Sequence, residues 1–281
     1  MPKVSVLVPI YKTNPDYLKE AIQSILNQTF ADFELLILDD CPEDTREEVV
    51  KSFQDKRIKY FKNEQNQGIT PSRNKLIDLA QGEYLAIMDH DDVALPERFE
   101  EEVKVLDTHP EIGVVSSWVE RFPNKKRIFK NPENNDEIEQ YLMQWCVIAH
   151  TAAMIRKSIL DNIKYEEEFS PCEDHALWGR LIGKTKFYNI QKVLMKYRWH
   201  ESNTSVTQSD KMDKATQAIH TLVRKAHPDI WKKVCENAPH TVRMKLFGFI
   251  PFGRFIQKGD KRKGILKYFP FITTKMKLEK K

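Results

Sequence analysis

Glycine is scarce in this chain of 281 residues, with nine in all. Those nine form neither a Gly-x-x-x-x-Gly-Lys-Ser/Thr loop nor a Gly-x-Gly-x-x-Gly turn, so neither common phosphate cradle is present. Long apolar runs are also missing: none approaches the ~18–20 residues needed to span a bilayer. Cysteine is sparse and scattered. Cys41, Cys146, Cys172 and Cys235 are widely spaced with no Cys-x-x-Cys pair; four cysteines could form a disulfide framework, but in a chain this long without a signal free thiols in a reducing compartment are the expectation. A β-branched run begins at residue 4, leaving no room for a signal peptide, and a cytoplasmic location is the expectation.

What is present is a soluble α/β body with an uneven charge. The net charge is +4 and the hydrophobic content 41%, enough for a sizeable core. From residue 241 to 281 there are twelve Lys/Arg against Asp260 and Glu279, a local charge of +10, which leaves −6 on residues 1–240. Within that tail, Leu246-Phe247-Gly248-Phe249-Ile250-Pro251-Phe252 resembles Ile265-Leu266-Lys267-Tyr268-Phe269-Pro270-Phe271. Aromatic-aliphatic knots flanked by lysines suit a segment lying on an anionic membrane surface. Nucleic-acid binding and packing against the body are the competing accounts, and no nucleic-acid partner is expected.

Strand and helix signals alternate along the first half, the pattern of βαβ units around a mostly parallel sheet. Residues 3–10 and 33–38 are apolar runs suited to strands covered on both faces. Asn14-Pro15 reads as N-cap and first helical residue, opening a helix with Leu18, Ile22, Ile25 and Leu26 on one face. Further helices are expected over residues 43–53, after Gly68, from Pro96 to Leu106, at 157–162, 175–182 and 213–224. Strands are expected at 58–61, 84–88, 112–119 and 187–197, with a mobile loop over 123–135.

The chemistry gathers where strands end. Ile87-Met88-Asp89-His90-Asp91-Asp92 passes abruptly from apolar residues to carboxylates, and Asp39-Asp40 end the second strand. In open α/β sheets ligands bind outside the carboxyl ends of the strands. Several acids at one edge repel one another unless a cation intervenes, and a hard divalent ion shared with substrate phosphates is the usual solution. The bland alternatives are that Asp91 or Asp92 caps the helix near Pro96, and that Glu173-Asp174 cap the helix that follows them. Pro9-Ile10-Tyr11 sets a ring beside the acids, so a nucleobase can be held by hydrogen bond and stacking.

Over about residues 1–205 the chain resembles inverting family 2 glycosyltransferases of the GT-A fold. The match is carried by Val6-Leu7-Val8-Pro9-Ile10-Tyr11, Ser24-Ile25-Leu26-Asn27-Gln28-Thr29, Leu36-Ile37-Leu38-Asp39-Asp40, Arg73-Asn74, Gly82-Glu83-Tyr84, Asp89-His90-Asp91-Asp92 with Pro96, and Glu173-Asp174 with Leu177-Trp178. The resemblance implies a Rossmann-like sheet flanked by helices and followed by a helical, basic C-terminal extension. It implies a nucleotide-sugar half at 1–115, an acceptor half with the catalytic base at 116–205, and the tail at 206–281.

By residue, it implies Asp39 at the base of a UDP-sugar with Pro9 and Tyr11 lining the pocket. Asp91, with Asp89, would hold Mn²⁺ or Mg²⁺; Asp89 and His90 would adjoin the nucleotide sugar, Arg73 its diphosphate, and His200 the metal. Asp174 matches the base. The acceptor would be a glycan or lipid-linked glycan of lipopolysaccharide or capsule synthesis, met at the inner membrane face. Cys41-Pro42 departs from the family's usual Gly-Ser turn, so the turn beside the base pocket is expected to differ. The alternatives are a sugar-phosphate nucleotidyltransferase, which generally needs a glycine-rich basic loop that Tyr11-Lys12-Thr13-Asn14 does not supply, and a non-catalytic binding module acting through the tail.

Overall fold

The computed structural model describes residues 1–124 and 126–237, and the backbone strands within 240–278. It divides into two units, residues 1–226 and 227–281. The first runs β1 (Val4–Ile10), α1 (Pro15–Leu26), β2 (Phe33–Asp39), α2 (Glu47–Lys51), β3 (Ile58–Lys62), α3 (Ile69–Leu79), β4 (Tyr84–Ile87), β5 (Val93–Ala94), α4 (Arg98–Thr108), β6 (Ile112–Phe122), β7 (Arg127–Phe129), α5 (Asn135–Leu142), β8 (Met154–Arg156), α6 (Glu173–Leu181), β9 (Lys186–Arg198), α7 (Thr204–Thr207) and α8 (Ser209–Ala226). The sheet order is β3-β2-β1-β4-β8-β6-β9-β5, with β7 paired to β6.

The βαβ half follows from its apolar runs. Strands β3, β2, β1 and β4 are mutually parallel, and every residue of β1, β2 and β4 is buried. Asn14 caps α1, its side-chain oxygen accepting from Asp16 N at 2.8 Å, and α1 lays Leu18, Ile22 and Ile25 on the sheet. Past β4 the sheet turns antiparallel: β8 pairs with β4 and β6, and a long parallel β6–β9 pair follows.

Several local expectations shift. Residues 43–46 are turn rather than helix, because Asp39 and Arg46 occupy their backbone, and α2 keeps five residues. The helix expected from Pro96 starts at Arg98. The expected loop at 123–135 contains β7, and residues 157–160 form a 3₁₀ turn. Helix α8 buries Ala215, Ile219 and Val223; a Cβ on Gly179 of α6 would lie 2.4 Å from Val223, so glycine permits that close crossing.

Beneath β4 lies a wholly buried ion pair, Arg98–Glu102, at 3.1 Å. Arg98 also donates to the carbonyl of Ile87 at 2.9 Å, fixing the last residue of the strand that carries the acids. Burial pushes the Glu102 carboxyl up to about 7.

The second unit begins with α9 (Pro228–Asn237), so the extension opens helically as expected. It continues as an antiparallel meander of β10 (His240–Leu246), β11 (Ile250–Lys258), β12 (Lys261–Tyr268) and β13 (Ile272–Leu278). Aromatic and β-branched residues mixed with lysines favour strands over helix. The knots of the sequence repeat extend over residues 247–249 and 269–271, outside the described residues, as are the side chains of the basic tail. No helix among the described residues is long and apolar enough to cross a membrane.

Gly82 gives a stability test of the β1–β4 junction. Its N–H donates to Ser5 Oγ at 2.8 Å, and a Cβ there would meet Ser5 N at 2.6 Å and Val4 C at 2.8 Å. Backbone cannot yield as a side-chain tip does, so Gly82→Ala is expected to cost about 1–3 kcal/mol, the usual range for overpacking. Urea denaturation measures it; an unchanged midpoint would contradict the packing described.

Candidate active site

The acids of β2 and β4 emerge at the same sheet edge, and each has a different local solution. Asp39 is 1% exposed and accepts from Cys41 N (3.0 Å), Arg46 N (2.7 Å) and Tyr60 Oη (2.8 Å). The Cys41-Pro42 turn is therefore tied by Asp39 without a donor from residue 42, and Asp44 N closes it on Cys41 O at 3.2 Å. Asp40 faces the other way, accepting from Asn63 Nδ2 and the backbone N–H groups of Gln67 and Gly68; it anchors the entry to α3. Pro9 is buried in β1, whereas Tyr11 is 41% exposed beside this edge.

The Asp89–Asp92 turn is clamped from three sides. Just past the end of α1, Gln28 donates to Leu95 O (2.7 Å) and accepts from Phe99 N (2.9 Å), while Ser24 Oγ of α1 accepts from Ala94 N (3.1 Å). From β9, Arg198 donates through Nε to Asp91 O (2.6 Å) and through its own N–H to Asp92 Oδ1 (2.8 Å). Its guanidinium is stacked on Tyr17 and Phe122, with an ion pair to Glu20 at 2.6 Å. His200 then meets Asp91 Oδ2 at 2.8 Å through Nε2, with Ser202 Oγ at Nδ1 and Tyr17 stacked on the ring. Neither Asp91 nor Asp92 caps α4: its N-cap is Glu97, without a side-chain bond.

Burial and the neighbouring Asp91 and Asp89 push the Asp92 carboxyl well up, and its Oδ2 is buried without a hydrogen bond. His90 Nδ1 is likewise buried and unbonded.

Across from β4, Arg73 of α3 joins the two halves of the site. It pairs through Nη1 with Glu173 and through Nη2 with Asp89 at 3.2 Å. Glu173 is thus turned to Arg73, its other oxygen buried and unbonded, and the N-cap of α6 is Cys172. Asp174, the next residue, is raised from its ordinary value chiefly by burial, with Asp89 adding to the rise and Arg73 and the His175 N–H opposing it. Behind the arginine, Tyr165 Oη meets His150 Nε2 at 2.8 Å; burial and the Arg73 charge hold His150 well below its usual value, hence neutral.

Among the described residues no three His, Cys, Asp or Glu groups lie close enough to hold an ion unaided. The donor set nevertheless fits a hard cation completed by ligand oxygens: the Asp91–His200 pair, Asp89 two residues before Asp91, and the unbonded Asp92 oxygen. The structure brings Asp91 and His200 into contact, joins Arg73 to Asp89 and Glu173, and leaves Asp174 within the electrostatic reach of Arg73 and Asp89. Sequence reading missed Arg198, Gln28 as a clamp, Tyr60 and the His150–Tyr165 pair. Gln28 lay inside a quoted motif, and Arg198 lay two residues before His200. Tyr60, His150 and Tyr165 carried no local signal.

Fold and site together define a glycosyltransferase of the GT-A fold. The chain belongs to glycosyl transferase family 2, whose sequence profile matches residues 5–164. It is 39% identical over 205 residues to an uncharacterized glycosyltransferase of Methanocaldococcus jannaschii, covering 70% of this chain and 71% of that one. It is 33% identical over 205 residues to the GalNAc(5)-diNAcBac-PP-undecaprenol beta-1,3-glucosyltransferase of Campylobacter jejuni, covering 70% and 65%. Among solved structures it resembles S. aureus TarS 1-349 in complex with UDP-GlcNAc, with a TM-score of 0.69, 20% identity, and 83% and 72% of the two chains covered.

The Arg73 bridge can be tested without substrate. Arg73→Ala leaves Glu173 buried without its counter-charge and is expected to destabilise by about 3–5 kcal/mol. Adding Glu173→Gln removes the uncompensated charge and should recover part of that loss in urea denaturation. No recovery would show that Glu173 is not the partner that matters.

Proposed function

We propose that this protein is a metal-dependent, inverting hexosyltransferase that moves a sugar from a UDP-sugar to a hydroxyl of a lipid-linked glycan in cell-surface polysaccharide synthesis. The observation that carries the reading is the meeting of the Asp91–His200 pair, Asp89 and the Arg73–Glu173–Asp174 group at one sheet edge. A UDP-GlcNAc complex of a protein with this fold supports the donor class. A relative named for an undecaprenol-diphosphate acceptor supports the acceptor class.

In this reading Pro9, Tyr11 and Asp39 receive the uracil base, His90 and Asp89 adjoin the ribose and diphosphate, and Arg73 holds Asp89 and Glu173 in register beside the diphosphate. Asp91, with Asp89 and His200, would hold Mn²⁺ or Mg²⁺, which supplies charge neutralisation at the departing diphosphate. Asp174 takes the proton of the acceptor hydroxyl as that oxygen attacks the anomeric carbon from the face opposite the diphosphate. Such a base contributes roughly 10²–10⁴-fold. The protein works at the inner membrane face, peripherally, with the basic tail as its expected contact.

Asp91→Ala and Asp174→Asn are expected to reduce transfer by at least about 10²-fold with little change in melting temperature; full activity in both would overturn the assignment. A base works when deprotonated, so kcat/KM should rise with pH through the Asp174 value. Because that value is raised above 3.8, the acid limb should lie above the ordinary aspartate range. In a thermal-shift series, one UDP-sugar with Mn²⁺ should raise the melting temperature by mass action, and chelator or Asp91→Ala should abolish the rise.

A further inference from the structure

The β6–β7 hairpin holds a feature that sugar transfer does not use. Residues 121–130, Arg-Phe-Pro-Asn-Lys-Lys-Arg-Ile-Phe-Lys, carry five cations and no acid, on a body whose first 240 residues sum to −6. Every residue of β7 is exposed, including Ile128 at 46% and Phe129 at 36%. Ile128 and Phe129 occupy successive positions of this strand, past the turn, and so leave apolar surface on both of its faces. Register pairs Ile128 with Glu120 and Phe129 with Val119, so β7 is a paired strand displaying its side chains, not a slack loop. Arg127 lies over the Phe129 ring at 5.1 Å, and Lys130 over Trp118 at 4.7 Å. Lys126, Arg127 and Lys130 make no ion pair with the described residues.

We propose that this hairpin is an anionic-membrane docking element of the catalytic unit, separate from the basic tail. Cations flanking an exposed aliphatic-aromatic pair match both parts of a lipid interface. The charges meet phosphate headgroups, and the exposed edge strand that carries Ile128 and Phe129 on its two faces meets the headgroup–acyl boundary. A nucleic acid would use the charges but would gain nothing from Ile128.

The position is as telling as the composition. The turn end of the hairpin begins at Phe122, whose carbonyl accepts from Trp199 N at 2.8 Å and whose ring stacks on Arg198 at 4.5 Å. Arg198 in turn holds Asp91 O. The docking strand is therefore linked through Phe122 and Arg198 to the turn that carries Asp91.

The test is sedimentation of the full-length protein with phosphatidylcholine vesicles, with and without about one-third phosphatidylglycerol. It uses two surface variants, Lys126→Glu/Arg127→Glu and Ile128→Ser/Phe129→Ser, each checked by circular dichroism and melting temperature. Wild type is expected to bind the anionic vesicles and not the neutral ones. At about fivefold per basic residue, the charge variant should lose at least tenfold in affinity. The serine variant should lose severalfold at unchanged charge, while Phe129→Trp retains binding.

Unchanged binding in both surface variants would assign attachment to the tail and overturn the proposal. Loss in the charge variant alone, with equal competition by a single-stranded oligonucleotide, would make this a general polyanion site and overturn it too. The readout needs no sugar transfer, so it stands or falls apart from the donor and acceptor assignment.

Discussion

Mutual repulsion among carboxylates at one sheet edge is the constraint around which the catalytic unit is arranged. Asp39, Asp40, Asp89, Asp91 and Asp92 come to the ends of parallel strands because βαβ winding carries each strand end there, and Glu173 and Asp174 come from the start of α6. Uncompensated, they would favour protonation or unfolding. Backbone N–H groups satisfy Asp39 and Asp40. Arg73 lies between Asp89 and Glu173, and Arg198 holds the backbone of the Asp91–Asp92 turn. Arginine suits both places, since a planar fork with five donors reaches two partners at once, which a lysine point charge does poorly.

Support for this edge comes from unexpected depth. Arg98 is completely buried, paired to Glu102, and spends its remaining donors on Ile87 O and Ala153 O. A buried ion pair seldom stabilises relative to a hydrophobic replacement; its evident return is geometric. It ties the end of β4 to the start of β8's segment, where the sheet changes from parallel to antiparallel. Ser24 of α1 and Gln28 just past its end then hold the strand after the acids. This accounts for part of the Ser24–Thr29 motif: Ser24 and Gln28 are buried against the segment after the acids, whereas Asn27 and Thr29 are exposed.

How far the sequence could be read follows from contact distance along the chain. Strands β1, β2 and β4 announce themselves as apolar runs ending in acids, and Asn14-Pro15 marks α1 by local chemistry alone. These are decided within a few residues. The His200–Asp91 contact spans 109 positions and Arg73–Glu173 spans 100, so no periodicity connects them; there the family resemblance, not the pattern, suggested the neighbourhood. The insertion of β8 between β4 and β6 was similarly invisible, because Met154–Arg156 is too short to alternate. Helix α2 was overread because residues 43–46 have helical composition, but their backbone is claimed by Asp39.

The charge balance also bears on why a cation belongs in the proposed reaction. Of the two arginines at this edge, Arg198 is committed to Glu20 and Arg73 to Glu173 and Asp89. Asp91 and Asp174 are left without an arginine of their own, and Asp92 is already pushed toward its neutral form by Asp91 and Asp89. A nucleoside diphosphate brings further negative charge to the same place. Docked there alone it would raise the very repulsion that the arginines were placed to relieve. A divalent ion held by Asp91, with Asp89 and His200, would supply the positive charge that relieves this repulsion. The same reasoning fits a donor set too small to hold an ion unaided: in the proposed reaction the remaining ligands would be oxygens of the nucleotide sugar, and metal and nucleotide would bind as a pair.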